Sequence, residues 1–266
     1  MYRLTERLTI KKNKQDRGAC LMKKSVLVTG GTRGVGLGIA RVFLQHNYRV
    51  VISYRSDAIE ASKALVNLGS EDVVLIQADV SLAEDRIRLI KEAREKVGVL
   101  DVLVNNAGIL RMGRFLEIDE NTFDEVMACN FFGAFYLSQL FAKSLIEERK
   151  SGAIVNINSA GAYRASNISY GTSKAALLHV TQCMGKELAK HNIRVNSISP
   201  NMIPSDLNKQ REKEDLAQWW EEAAKKVPMK RAGKAEEIGS VAHFLASEAS
   251  SYMTGRDLVV DGGFLL

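Results

Sequence analysis

Ser25-Val26-Leu27-Val28-Thr29-Gly30-Gly31-Thr32-Arg33-Gly34-Val35-Gly36-Leu37-Gly38-Ile39-Ala40 carries the reading of the fold. Its first five residues are a short apolar run, the kind expected of a strand buried on both faces of a parallel sheet. From 36 to 46 the apolar residues recur at helical spacing. Between the two, Gly30, Gly34 and Gly36 permit a tight turn and let backbone come close to a ligand. The N-terminus of the following helix is a ready anion site, suited to a pyrophosphate. A dinucleotide-binding turn requires this strand–turn–helix context; the competing account is an ordinary glycine-rich connection.

Working outward, six more Val/Ile/Leu-rich runs follow, at 49–54, 72–77, 99–105, 153–158, 193–199 and 257–260. Between them lie longer segments with helical periodicity, among them 82–97, 122–148 and 173–190. The alternation predicts a single-domain α/β fold: a Rossmann-type doubly wound parallel sheet of about seven strands with helices on both faces. No repeat, low-complexity stretch or linker divides residues 25–266. Charged residues 206–226 carry Trp219 and Trp220 and read as an excursion from the sheet, so about 201–230 is expected to cover a substrate.

The net charge of +6 resides in the first 24 residues, where eight Lys/Arg face two acids; the remaining 242 residues are balanced. Residues 1–24 therefore read as a basic, flexible extension on a neutral body, which argues against a nucleic-acid partner. The extension lacks the apolar core of a secretory signal, and no run is long enough to span a membrane. Cys20, Cys129 and Cys183 form no paired spacing, and the four histidines form no metal-binding pattern. A metal-free protein of the cytoplasm is the expectation.

A second motif is chemical. Tyr170 and Lys174 are four residues apart, which places them on one helix face, and Ser159 precedes Tyr170 by eleven. A phenol near an ammonium is stabilised as phenolate, so Lys174 is expected to lower the Tyr170 pKa. Tyr170 then serves as general acid toward a carbonyl oxygen or general base toward an alcohol. Ser159 would hydrogen-bond the same oxygen. Taken one at a time, each has a plain alternative, a surface helix pair for Tyr170/Lys174 and a turn residue for Ser159.

The order of these elements resembles the short-chain dehydrogenases/reductases over residues 24–263. The resemblance rests on Thr29-Gly30-x-x-x-Gly34-x-Gly36, Asn105-Asn106-Ala107-Gly108, Ser159/Tyr170/Lys174, Asp79-Val80 and Val259-Val260-Asp261-Gly262-Gly263. It implies a nicotinamide dinucleotide cradled by Gly30, Thr32, Arg33, Gly34, Val35 and Gly36. It places adenine at Asp79 and Val80, and assigns further contacts to Asn106, Ala107, Gly108, Ile203 and Ser205. It implies that Tyr170 and Lys174 also touch the cofactor, Lys174 at the ribose, and that Asn130 holds a water linked to Lys174. Relatives that prefer NAD carry an acid at the end of the second strand; here Tyr54 and Arg55 stand there, with Arg33 nearby. Guanidinium groups suit a 2′-phosphate, so NADP(H) is favoured over NAD(H). Asp57 is expected to cap the next helix.

Two departures from the family pattern stand out. The Ser159–Tyr170 interval of eleven is shorter than the usual twelve or thirteen, and Pro200-Asn201 replaces Pro-Gly, where Asn is expected to supply the left-handed turn. The stretch 227–238 is similar to 3-oxoacyl-[acyl-carrier-protein] reductases, although polyol and sugar enzymes share it. Arg149 and His191 occupy the positions that meet an acidic carrier protein in those reductases. The resemblance thus implies reduction of a ketone or a 3-oxoacyl group, free or carrier-bound. The alternatives are oxidation of a sugar, polyol or steroid alcohol, and a catalytically silent nucleotide sensor. Relatives assemble as tetramers, and Phe131, Phe132, Phe135, Tyr136 and Phe141 are read as surplus apolar surface for a homotetramer.

Overall fold

Strand β1 (Ser25–Thr29) is fully buried and pairs in parallel with β2 (Arg49–Tyr54) on one side and β4 (Val102–Asn105) on the other. The computed structural model describes residues 23–205 and 216–266, with backbone alone for 216–218. Residues 1–22 of the basic extension and 206–215 of the covering segment lie outside the described residues. Lys23 and Lys24 belong to the body: Lys23 is 2.5 Å from Asp72, and the Lys24 carbonyl accepts from the Arg49 amide at 2.9 Å.

The other strands are β3 (Val73–Gln77), β5 (Gly152–Ile157), β6 (Ile193–Pro200) and β7 (Asp257–Val260). All seven run parallel in the order β3-β2-β1-β4-β5-β6-β7. The order reverses between β1 and β4, and the crevice outside the strand C-termini at such a point is where ligands bind in open α/β sheets.

Alternation within each strand feeds two cores. Val26, Val28, Val50, Ile52, Val104 and Val155 pack against α1 (Gly34–Gln45) and α8 (Ala235–Ala246) through Ile39, Phe43, Ile238, Ala242 and Leu245. Leu27, Val51, Leu103 and Ile154 face the other way, against α3 (Ala83–Val97), α5 (Ala134–Glu147) and α6 (Ile168–Leu188). Two helices complete the connections, α2 (Ala58–Leu68) and α4 (Glu120–Met127), and α7 (Leu216–Lys225) stands in the excursion before α8. As expected, Asp57 caps α2, its carboxylate accepting from the Glu60 amide at 2.9 Å.

Three expectations are corrected. The helix expected over 122–148 is broken by a π-helical turn, Ala128–Gly133, between α4 and α5. The strand expected from 99 begins at Val102, because Val99 and Asp101 serve the start of β1 instead: the Val99 carbonyl accepts from Ser25 Oγ at 2.6 Å and Asp101 Oδ2 from the Ser25 amide at 2.7 Å. Phe141 is 0% exposed inside the α5 core and offers nothing to a partner. The outward aromatics are Phe132 and Tyr136, stacked at 6.1 Å, with the buried Arg86 guanidinium 5.2 Å from the Tyr136 ring.

Candidate active site

At the C-terminal ends of the strands lies a cavity of about 530 Å³, within the range of small-molecule sites. One end is built on the glycine turn. Gly34 takes φ +52°, and a Cβ there would stand 3.2 Å from Ser205 Cβ, so Ser205 closes over the turn. At Gly36 a Cβ would come within 2.4 Å of the Gly30 carbonyl and 2.5 Å of Asn106 Nδ2, so no side chain fits. Arg33 occupies the N-cap of α1 with no side-chain cap, and no acid stands in the first turn. The helix N-terminus therefore keeps its amides for an anion. Thr29 locks the turn to the Asn106 loop, its Oγ1 accepting from the amides of Asn106 and Ala107, both at 3.0 Å. Asn106 Nδ2 returns bonds to the Thr29 and Gly30 carbonyls at 2.9 and 3.0 Å.

The cavity wall brings together Gly30, Thr32, Arg33, Gly34, Val35, Gly36, Tyr54, Arg55, Asp79, Val80, Asn106, Ala107, Gly108, Ile203 and Ser205, along with Ser159, Tyr170 and Lys174. Asp79 spends one carboxylate oxygen on Ser81, at 2.9 Å to the amide and 2.6 Å to Oγ, so it shapes its own turn while facing the pocket. The amide-bearing strand end, the vacant cap and the glycine surface together fit a dinucleotide pyrophosphate.

The chemical end is built by α6. Asn167 caps this helix, accepting from the Tyr170 amide at 3.1 Å, and its Nδ2 reaches the Arg111 carbonyl at 2.8 Å. Lys174 is 4% exposed and donates to the Ile157 carbonyl at 2.8 Å; burial pushes its pKa down to about 8. Its Nζ lies 5.7 Å from the Tyr170 ring centroid. Ser159, two residues past the end of β5, accepts from the Gly161 amide at 3.0 Å and stands near enough to the Tyr170 phenol to ease its ionisation. The expected lowering of the Tyr170 pKa is not what the structure gives. Burial raises it, and the neighbouring Ser159 hydroxyl opposes that only in part. Desolvation penalises the phenolate more than the neighbouring groups stabilise it.

Asn130 sits in the π turn, a local widening that turns its side chain inward. Its Oδ1 accepts from the Ile109 amide at 2.8 Å, while Nδ2 donates to the Ile109 carbonyl at 2.9 Å and to Ser173 Oγ at 3.1 Å. The amide is thus committed to fixing the loop after β4 against α6. Gly108 lies beside it, where a Cβ would be 3.3 Å from Asn130 Oδ1 and 3.7 Å from Lys174 Nζ.

The shortened loop between Ser159 and Tyr170 is held from several sides. Tyr163 donates to Asp257 Oδ2 at 2.7 Å, and burial together with that carboxylate pushes its phenol up to about 12. Arg164 lies 5.0 Å from the Phe264 ring, and Ser166 Oγ donates to the Gly161 carbonyl at 3.1 Å. The left-handed residue after β6 is Met202, at φ 51°, and not Asn201 as expected. The turn shifts by one residue, and the Asn201 amide stays on the Val260 carbonyl at 3.3 Å.

Sequence reasoning missed several wall residues: Ile109, Leu110, Arg111, Cys129, Asn158 and Met202. Burial pushes the Cys129 thiol up to about 11, which keeps it as the thiol at neutral pH. Asn167 could have been found, since an Asn three residues before Tyr170 is a helix-start signal. Arg149 is exposed just past α5, and His191 lies just before β6, so both stand at the strand N-termini, the opposite edge of the sheet from the cavity.

Among family models, the one described as enoyl-(acyl carrier protein) reductase matches residues 30–265. A 3-oxoacyl-[acyl-carrier-protein] reductase of Chlamydia pneumoniae is 36% identical over 249 residues, spanning 91% of this chain and 97% of that one. A galactitol 2-dehydrogenase (L-tagatose-forming) of Cereibacter sphaeroides is 36% identical over 252 residues, covering 93% and 95%. Among solved structures, Pseudomonas aeruginosa RhlG in an NADP active-site complex superposes with a TM-score of 0.84 at 33% identity, covering 92% and 98%.

Proposed function

The chain belongs to the short-chain dehydrogenase/reductase family, and we propose that within it the protein is an NADPH-dependent reductase of ketones or 3-oxoacyl groups. The observation that carries this reading is the convergence of Ser159, Tyr170 and Lys174 on one wall of the cavity that begins at the glycine turn. When bound, the nicotinamide supplies the hydride that the carbonyl carbon accepts. Tyr170 gives its proton to the carbonyl oxygen and is reprotonated from solvent. Ser159, whose Oγ is positioned by the Gly161 amide, donates its one proton to the same oxygen as negative charge develops on it. Lys174, held by Ile157, supplies positive charge beneath the tyrosine at neutral pH. Burial keeps the Tyr170 proton in place at neutral pH, the state a general acid needs.

Preference for NADPH is supported by Tyr54 and Arg55 at the end of β2, where no acid faces the cavity before Asp57, itself engaged as a helix cap. A free substrate is favoured over a carrier-bound one, because Arg149 and His191 lie a strand length, roughly 20 Å, from the cavity in the same subunit. Phe132 and Tyr136, 43% and 41% exposed, support a homotetramer, to be checked by light scattering. The test is steady-state kinetics with NADPH and NADH over a ketone panel. We expect kcat/KM with NADPH to exceed that with NADH at least tenfold, and Arg55→Ser to remove most of the difference. Equal use of both nucleotides would contradict the assignment of Arg55.

A further inference from the structure

Three charged side chains are buried among the described residues: Lys174, Asp261 and Arg86. Lys174 faces the cavity, and Asp261 accepts from the amides of Gly263 and Leu265, both at 2.8 Å. Arg86, 7% exposed, lies behind the cavity wall and makes no ion pair among the described residues. Its position is one an apolar residue would fill at lower cost. Arg86, Leu89, Ile90 and Ala93 form the buried stripe of α3, at the spacing of one helix face. The charge also stands in the opening turn of α3, beside Glu84 and Asp85, where the helix dipole favours acids over a cation. Arg88, two residues on, is turned to the surface and has Asp85 and Glu92 as partners. What the Arg86 guanidinium gains instead is a hydrogen bond from Nη1 to the Val80 carbonyl at 2.6 Å, with the Tyr136 ring beside it.

Val80 lines the cavity next to Asp79, and both are tied to the start of α3. The Asp79 amide donates to Asp85 Oδ2 at 2.7 Å, and the Val80 carbonyl accepts from Arg86. Gly133 closes the other side, where a Cβ would stand 3.0 Å from the Val80 carbonyl oxygen. The carbonyl is thus held between α3 and the π turn. The strand order decides which part of a dinucleotide meets this wall. β5, which leads to Ser159, lies two strands to one side of β1, and β3, which leads to Asp79 and Val80, lies two strands to the other. At a spacing of about 4.8 Å, each is about 10 Å from the glycine turn. A dinucleotide with its pyrophosphate at that turn and its nicotinamide toward Tyr170 puts its adenosine toward Val80. Resting on the cofactor reading above, we propose that Arg86 is a positioning residue for the adenosine half of the cofactor, anchoring the Val80 carbonyl from behind and so fixing the wall that adenosine meets. Arginine suits this place because a guanidinium keeps its proton when buried and presents its donors in a rigid plane.

The experiment measures dissociation constants on the full chain for NADPH, by fluorescence, and for adenosine 2′,5′-bisphosphate, by calorimetry. The proteins are wild type, Arg86→Met, Arg86→Lys and Gly133→Ala. Arg86→Met keeps the length of the side chain and removes the donor. It should weaken both ligands in parallel by about tenfold, the lower end of what a hydrogen bond to a charged group is worth. At saturation the emission of the bound nicotinamide should match wild type, because that end of the site is untouched. Arg86→Lys keeps a cation and a donor, and the Val80 bond uses a single nitrogen, so NADPH affinity should return to within about threefold of wild type. Gly133→Ala presses on the same carbonyl from the opposite side and should weaken the bisphosphate by about threefold, whether or not Arg86→Met is recovered folded. Affinities within about twofold of wild type in Arg86→Met, whatever its Tm, would overturn the inference and make Arg86 a structural residue only. An altered nicotinamide emission, a loss in Arg86→Lys equal to that in Arg86→Met, or unchanged binding in Gly133→Ala would overturn it as well. If wild type binds NADPH but not the bisphosphate, the inference fails alone. If wild type binds neither, the cofactor reading falls and the inference with it.

Discussion

Replacing Thr181 with valine tests how the catalytic helix is registered to the sheet. Thr181 is 1% exposed on α6; its Oγ1 accepts from Asn156 Nδ2 at 2.8 Å and donates to the Leu177 carbonyl at 2.7 Å. Asn156 in turn accepts from Asn105 Nδ2 at 2.8 Å, and Asn105 also reaches Ser138 Oγ at 2.8 Å. This buried chain ties β4, β5, α5 and α6 together beneath the cavity. Valine has the shape of threonine but accepts nothing, so Asn156 Nδ2 is left buried and unpaired. Such a loss costs about 1–3 kcal/mol. Taking about 2 kcal/mol, and about 2–4 °C of Tm per kcal/mol at this chain size, Thr181→Val should melt roughly 4–8 °C lower. Thr181→Ser keeps the acceptor and loses one buried methyl, worth about 0.8 kcal/mol, so it should fall by about 2–3 °C. Thermal denaturation at one fixed protein concentration separates the two. Equal melting of the valine and serine variants would refute the reasoning, since the hydroxyl would then contribute nothing.

Two further outcomes follow from the geometry. Lys174 has a folded pKa of about 8, below the ordinary 10.5, so it is charged below that pH and loses its charge above it; reductive kcat/KM should be level to pH 7.5 and fall above 8. The same depression means that the unfolded chain holds this proton longer, so the Lys174 contribution to stability rises with pH between about 8 and 10.5. A pH–rate profile level to pH 10 would contradict the role given to Lys174. Gly36→Ala places a Cβ 2.4 Å from the Gly30 carbonyl; fluorescence titration should show NADPH affinity down at least tenfold, with Tm lowered by about 2–8 °C for overpacking of about 1–2 kcal/mol.

Much of the sheet was legible because buried parallel strands write themselves as continuous Val/Ile/Leu runs, and 25–29, 49–54 and 257–260 match to the residue. The glycine turn was legible for a steric reason, as the Gly36 contacts show. What escaped depends on tertiary context. Val99 and Leu100 look like strand, yet the Val99 carbonyl is taken by Ser25 before β4 begins. The π turn at Asn130 leaves the apolar periodicity of 122–148 almost unchanged, so periodicity could not reveal it. The left-handed residue fell on Met202 although Asn201 is the better intrinsic candidate, because strand pairing holds the Asn201 amide on Val260. The proximity of Lys174 to Tyr170 was readable from spacing, but the net direction of the tyrosine shift was not, since burial is a property of the fold.

The most direct test of the central claim is Tyr170→Phe, measured for NADPH binding by fluorescence and for NADPH oxidation with a ketone that wild type reduces. The account expects turnover to fall at least 100-fold, as befits loss of a general acid, while the NADPH dissociation constant stays within about threefold. Turnover retained within tenfold would show that another group delivers the proton, and the assignment of Tyr170 would be wrong.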